Sequence, residues 1–261
     1  MPGDCAALKQ RLEELGSCVV AFSGGTDSAF LLDCAGEVLG DKVAAVTVFA
    51  PYTLKRDIRR AGGIAEALRV SHLNVDIPLP EALRYNPRNR CYICKSEMFT
   101  LIRREASVLG AGHVLDGTVT DDDEAARPGM RALKEQKILS PLCECGFSKT
   151  DVIDQLNKRG RKTWIHSPDS CLLTRLPFGR EVIAEELARI EIAEEYLLSE
   201  GIDPVRVRSD GTTARIEAGR ECRRLFFPEE RMDKIAGQLK QFGFRHVSLD
   251  LDGYRTGGVD D

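Results

Sequence analysis

The chain has 261 residues, 43% of them hydrophobic and 30% charged, with a formal net charge of −4. That length can bury a sizeable core, the composition is that of an ordinary globular protein, and the acidic balance excludes a large electrostatic nucleic-acid footprint. No apolar run approaches the roughly 20 residues that span a bilayer, and the start Met-Pro-Gly-Asp-Cys lacks a charged segment followed by an apolar one, so the expected compartment is the cytoplasm.

In chain order, residues 5–15 carry Leu8, Leu12 and Leu15 at helical spacing. The apolar run Cys18–Phe22 reads as a short buried strand, and Ala29–Ala35 as the first turns of a helix. Residues 42–49 are a second strand, 53–69 a helix with Arg and Lys on its outer face, and 71–77 a third strand. Residues 94–109 read as helix and 113–118 as a fourth strand. Strands apolar on both faces and alternating with helices predict an α/β fold: a parallel, Rossmann-like sheet covered on both sides, whose ligands lie beyond the carboxyl ends of the strands. The Ser23–Ser28 loop, Ala50 and Gly117-Thr118 would converge there. The polar stretch from Thr120 to Gln136 reads as a long active-site loop, and a helix opened by Ser148 and Asp151 covers 150–159. Beyond Pro177-Phe178-Gly179 the pattern becomes helix (181–199), two strands (205–208, 213–217), helix (228–242) and strand (246–251). That order suggests a smaller α+β domain with an antiparallel sheet, dividing the chain into 1–170 and 171–261.

The most informative segment is Ala21-Phe-Ser-Gly-Gly-Thr-Asp-Ser28. A strand that breaks at Gly24-Gly25 and enters a helix through Asp27 and Ser28 aims several backbone N–H groups at one point. The positive end of the helix dipole lies there too, and Ser23 and Ser28 add hydroxyls, so the loop is an anion site. No Gly-Lys-Ser/Thr closes it as in the Walker type. It resembles the PP-loop of ATP pyrophosphatases, which split ATP between the α and β phosphates to adenylate a substrate. Asp27 among these donors opposes phosphate unless Mg²⁺ bridges the two, or else it caps the helix.

The nine cysteines are numerous for a reducing compartment, where paired thiols more often mean metal or catalysis than disulfides. Cys18, Cys34 and Cys222 read as small core residues. Cys91-Tyr-Ile-Cys94 is expected in a loop before a helix, beside Arg90 and Lys95, where thiolates suit metal ligation or redox work. The alternative is two partly buried thiols. Cys171 follows a chain break and precedes Arg175, which suits a nucleophile, a sulfur donor or a third ligand to an iron–sulfur cluster. Cys143-Glu-Cys145 could complete a zinc site with Cys91 and Cys94, though at poor spacing. His72 and His113 read as structural. Arg206 and Arg208 share a strand face and, with Arg215, suit a phosphate or carboxylate, or else pair with Glu217 and Asp210. Glu191, Glu194 and Glu195 are expected to face solvent, with Glu194 able to line the same cleft.

Together with Val-Leu-Asp-Gly117-Thr, Asp-Asp-Asp-Glu-Ala-Ala-Arg-Pro-Gly-Met-Arg-Ala, Cys171-Leu-Leu-Thr-Arg175-Leu-Pro-Phe-Gly, Val-Arg206-Val-Arg208, Ala-Arg-Ile-Glu and Phe-Arg-His-Val-Ser-Leu-Asp-Leu-Asp-Gly-Tyr-Arg-Thr-Gly, the loop resembles the LarE-type sulfur transferases nearly end to end. Two departures from that pattern stand out: Thr174 is found where Ser is expected, and Leu172-Leu173 replaces a smaller pair. The resemblance implies ATP- and Mg²⁺-dependent adenylation of the carboxylates of pyridinium-3,5-biscarboxylic acid mononucleotide, then thiocarboxylate formation for the nickel-pincer cofactor of lactate racemase. It implies that Cys171 either gives up its own sulfur, becoming dehydroalanine, or joins Cys91 and Cys94 around a [4Fe-4S] cluster. The expected partners are a small-molecule nucleotide, other cofactor-maturation proteins and further copies of the chain, with no nucleic acid or membrane. Rival readings are a PP-loop tRNA thiolation enzyme, an ammonia-using PP-loop ligase, and a nucleotide-sensing protein that binds ATP without cleaving it.

Overall fold

The computed structural model describes residues 3–122, 129–166 and 170–255. Contacts divide the chain into two compact units, Met1–Pro80 with Asn89–Asp169, and Glu81–Arg88 with Ser170–Asp261.

The first unit runs α1 (Cys5–Leu15), β1 (Cys18–Ala21), α2 (Thr26–Leu39), β2 (Val43–Phe49), α3 (Lys55–Leu68), β3 (Ser71–Asp76), α4 (Arg90–Val108), β4 (His113–Leu115), α5 (Gly129–Glu135), α6 (Pro141–Glu144) and α7 (Lys149–Lys158). The sheet order is β3-β2-β1-β4 and every pairing is parallel. This is the Rossmann-like α/β sheet expected from strands separated by helices. Its core joins Val20 and Phe22 of the β1 exit to Phe30, Leu31 and Leu32 of α2, to Leu8 and Leu12 of α1, and to Phe147, Val152 and Leu156 around α7. Helix α7 opens on the expected motif: Ser148 Oγ accepts the Asp151 N–H at 3.2 Å while Asp151 Oδ2 accepts the Ser148 N–H at 2.9 Å.

Three expectations need correction. Strand β3 is not buried on both faces, because it ends the sheet and its residues are exposed or half-buried. Cys91 and Cys94 lie inside the first turn and a half of α4 rather than in a loop before it. That turn carries no apolar stripe; buried Arg90 and a hydrogen bond from Tyr92 to Glu135 (2.7 Å) anchor it instead. Helix α5 occupies the end of the stretch read as a loop, burying Gly129, Ala132 and Leu133, a pattern too short to show a period. Residues 123–128 of that stretch lie outside the described residues.

The second unit contains α8 (Ala184–Ser199), β5 (Val205–Ser209), β6 (Thr213–Ala218), α9 (Glu229–Gln241) and β7 (His246–Leu249). Strands β5 and β6 are antiparallel, as a hairpin dictates, but β7 runs parallel to β6. The sheet is therefore mixed: α9 forms a crossover that returns the chain to the same end before β7 starts. Among the described residues no helix is long and apolar enough to cross a membrane.

Candidate active site

Gly25 stands at the N-cap of α2, so no side chain occupies the space before the helix. The hydroxyls close the turn locally: Ser23 Oγ accepts the Gly25 N–H at 3.2 Å, and Ser28 Oγ bonds Gly25 O at 3.1 Å and lies 3.3 Å from Ser23 Oγ. Gly24 has φ +73°, and a Cβ there would stand 2.9 Å from Ala61 N and 3.0 Å from Asp57 O of α3. Only glycine satisfies both demands. Across the sheet, a Cβ on Gly117 would lie 2.7 Å from Ser28 N, so the β4 exit abuts the first turn of α2. The convergence of the Ser23–Ser28 loop with Gly117 is thus built into backbone contacts, and the cradle fits an anionic phosphate group.

His166 holds the loop from the other side. Its Nδ1 lies 3.3 Å from Arg60 Nη1, which can only donate, so Nε2 carries the hydrogen and donates to Gly24 O at 3.1 Å. Thr26 Oγ1 donates to the carbonyls of Trp164 (3.2 Å) and His166 (3.3 Å). Asp27 sits one residue inside the helix, where a carboxylate favours the dipole. Lys149 Nζ grips it at 2.7 and 2.6 Å. The carboxylate is a hard oxygen donor beside the cradle and fits Mg²⁺.

Of the two thiols on α4, that of Cys91 is exposed, whereas the half-buried Cys94 Sγ accepts from Tyr52 Oη at 3.3 Å and lies 3.4 Å from Met98 Sδ. Their spacing is one helical turn, so both can serve one metal centre by donor type and separation. Among the described residues no group of three or more His, Cys, Asp or Glu side chains is placed to hold a metal ion, whether Cys143 and Cys145 or any other thiol is counted with this pair. Burial raises the thiols of Cys143 and Cys145, and nearby carboxylates, Asp116 and Asp122 at Cys143 and Glu144 at both, push the same way. Cys18 and Cys34 are core thiols, pushed up to about 12 by burial. Cys222 is not; it is half-buried and donates to Asp203 O at 3.0 Å. His72 is structural: Thr47 gives its single hydroxyl hydrogen to Phe22 O (2.7 Å), so His72 Nε2 donates to Thr47 at 2.8 Å.

In the second unit Cys171 precedes a short 3₁₀ turn, Leu172–Arg175, and is half-buried. Arg175 is 1% exposed and forks onto Glu194, itself 0% exposed, at 2.8 and 3.0 Å. Its other nitrogen donates to Ser170 O (2.7 Å), Thr174 Oγ1 (2.8 Å) and Cys171 O (3.3 Å). The guanidinium therefore fixes the backbone that carries Cys171. Arg208 pairs with Glu217 at 2.5 Å and donates to Thr174 O at 2.8 Å. Arg206 lies 4.6 Å over the Tyr254 ring, and its nitrogens reach Tyr254 Oη (3.2 Å) and Arg255 O (3.3 Å). Among the described residues no carboxylate pairs with Arg206, although it is buried. Burial pulls Arg206 below its ordinary value, and Arg175 and Arg208 push the same way against Tyr254 and Glu194. A buried guanidinium in that state suits an anionic ligand.

Glu191 and Glu194 are buried rather than solvent-facing, and Glu194 also accepts the Val207 N–H at 3.0 Å. A helix with Glu at five positions reads as solvated; for Glu194 the burial goes with the Arg175 guanidinium opposite it. Lys149 and His166 carry no motif of their own and escape any reading of the chain by pattern.

An all-parallel sheet with a glycine turn at its carboxyl edge feeding a helix makes this a Rossmann-like α/β protein. No protein-family model matches the chain. It is 33% identical over 266 residues to pyridinium-3,5-bisthiocarboxylic acid mononucleotide synthase of Lactiplantibacillus plantarum, covering 98% of this chain and 93% of that protein. It is 36% identical over 252 residues to an uncharacterized protein of Synechocystis, covering 96% and 94%, and 30% identical over 238 residues to one of Methanocaldococcus jannaschii, covering 91% and 90%. The chain belongs to the family of that synthase, the LarE-type sulfur transferases.

Proposed function

We propose that the protein is an ATP-dependent sulfur transferase that converts the carboxylates of pyridinium-3,5-biscarboxylic acid mononucleotide to thiocarboxylates. The observation that carries this reading is the end-to-end relationship to the synthase of the bisthiocarboxylic product. The phosphate-fitting turn at Ser23–Ser28 and the arginines around Cys171 give it chemical content.

A carboxylate resists nucleophiles, so one substrate oxygen attacks the α phosphate of ATP, forming an acyl adenylate and releasing pyrophosphate. Ser23, Gly24, Gly25 and Ser28 hold that pyrophosphate, Gly117 keeps the helix end in place, and Asp27 would hold Mg²⁺, which when bound would supply neutralising charge to the phosphate oxygens. In the second unit Arg206 and Arg208 bind the anionic mononucleotide, and Arg175 is the positioning residue for Cys171. The Cys171 thiolate attacks the activated carbonyl carbon and AMP leaves with the bonding pair. Removal of the Cys171 Cα proton then breaks its Cβ–S bond, leaving the thiocarboxylate and dehydroalanine, with no external reductant. In the second route, Cys91 and Cys94, with Cys171 as the third thiol that the family resemblance implies, would hold a [4Fe-4S] cluster, which when bound supplies a replaceable sulfide. The Cys91/Cys94 pair favours this route, because a sacrificial cysteine needs no companions.

The test is incubation with ATP, Mg²⁺ and the dicarboxylate mononucleotide, following AMP, pyrophosphate and thiocarboxylate. Substrate-dependent AMP with no sulfur product would refute the transferase reading and favour a ligase. Anaerobic iron and sulfide analysis beside intact mass separates the two sulfur sources: loss of one H₂S without iron excludes the cluster.

A further inference from the structure

The Ser23–Ser28 turn contains no lysine, whereas phosphate loops of the Walker type close on one that reaches the β and γ phosphates. Here a lysine arrives from elsewhere in the chain. Lys149, 122 residues after Asp27, places its ammonium 2.7 and 2.6 Å from the two Asp27 oxygens. The delivery is built. Asp121 accepts the Lys149 N–H at 2.8 Å, and Thr120 donates from its N–H (2.9 Å) and its hydroxyl (3.1 Å) to Phe147 O. The Ser148–Asp151 capping box then fixes the helix start on which Lys149 sits. The β4 exit and the start of α7 are laced together, and both end against the first turn of α2.

The pair remains partly open, with 31% of the Lys149 side chain and 25% of the Asp27 side chain exposed. A surface pair so exposed contributes little to stability, so folding alone gives little reason for such a built position. Electrostatics gives a better one. A carboxylate in an N–H cradle repels phosphate, and an ammonium cancels it until a divalent cation does so more strongly.

We infer that Lys149 is the phosphate-binding lysine of this site: it holds Asp27 in the nucleotide-free protein and passes to the pyrophosphate part of ATP when Asp27 takes Mg²⁺. The compact ammonium with three donors suits that exchange, since it can follow an oxygen without a fixed fork geometry. The inference rests on the reading of the loop as an ATP site.

Calorimetric titration with Mg·pyrophosphate, Mg·ATP and AMP tests it. K149M is expected to weaken pyrophosphate and ATP by roughly tenfold or more, the loss of one charge-assisted phosphate contact, and to leave AMP unchanged. K149R should fall between. Pyrophosphate binding by K149M within about twofold of wild type overturns the assignment of Lys149 alone. Wild-type protein that binds neither ATP nor pyrophosphate overturns the ATP site and the lysine with it. A second measurement does not depend on K149M folding by itself. In EDTA, D27N releases the lysine and should bind metal-free pyrophosphate more tightly than wild type, and D27N/K149M should lose that gain. Equal binding by D27N and the double variant refutes the inference.

Discussion

Replacing Arg175 by Met removes a cation that is 1% exposed from a carboxylate, Glu194, that is 0% exposed. Glu194 loses both bonds to Arg175 while keeping the Val207 N–H, and the carbonyls of Ser170 and Cys171 lose the Arg175 donor, although Cys171 O still accepts from Thr174. Breaking one partner of a buried pair costs about 3–5 kcal/mol, because the remaining charge is left desolvated. At a urea slope of about 2 kcal/mol/M this moves the midpoint down by roughly 2 M. The double variant R175M/E194L removes both charges and should recover most of the loss, since apolar packing replaces a buried pair at little net cost. Lys9–Glu37 provides the control. At 2.5 Å it is a shorter pair, yet its side chains are 42% and 47% exposed, so K9M should leave the midpoint close to that of wild type. The measurement is equilibrium urea denaturation followed by a probe in the second unit, with hydrogen exchange at Cys171–Thr174 reporting release of that segment. An R175M midpoint within experimental error of K9M, or a double variant no more stable than R175M, would refute the argument that burial decides the worth of the pair.

R206Q leaves stability near wild type, because among the described residues Arg206 pairs with no carboxylate that would be stranded, but it should raise KM for the mononucleotide with little change in ATP-dependent steps; an unaltered KM removes Arg206 from the substrate site. C171A should retain substrate-dependent pyrophosphate exchange and lose thiocarboxylate, and C91A should lose iron in anaerobic preparations; thiocarboxylate formation by C171A contradicts the sulfur route. G24A should destabilise strongly, since its Cβ meets the α3 backbone and its φ is positive, and a melting point unchanged from wild type would deny that contact. Burial lowers the His72 pKa, so the folded state takes up its proton less readily than the unfolded chain. The sign follows: stability from this group is full above the unfolded histidine value near 6.5 and falls as pH drops below it. H72Q should flatten the stability curve between roughly pH 7 and 5, and an identical curve would show that another group sets the slope.

What could be read along the chain was whatever is local. Val19-Val20 before Gly24-Gly25, and Ser148 three residues before Asp151, each state their structure within one turn, because strand breaks and caps are short-range events. The start of α4 was harder, since Arg90 and Tyr92 are held by tertiary partners and show no apolar period. The direction of β7 was hidden for a related reason: strand alternation is identical in parallel and antiparallel sheets, and only the crossover through α9 decides. Charge was hardest of all. A Glu on a helix is solvated by default, whereas Glu194 is buried against Arg175, which lies 19 residues away in sequence and within 3.0 Å in space. Lys149 obeys the same logic over 122 residues. Ionic partners acquire their meaning from the low dielectric and fixed geometry of the folded state, not from spacing. The anion-binding turn is therefore written in the sequence as backbone chemistry, whereas the charges that would tune it for phosphate and for a mononucleotide become visible only after folding has brought them together.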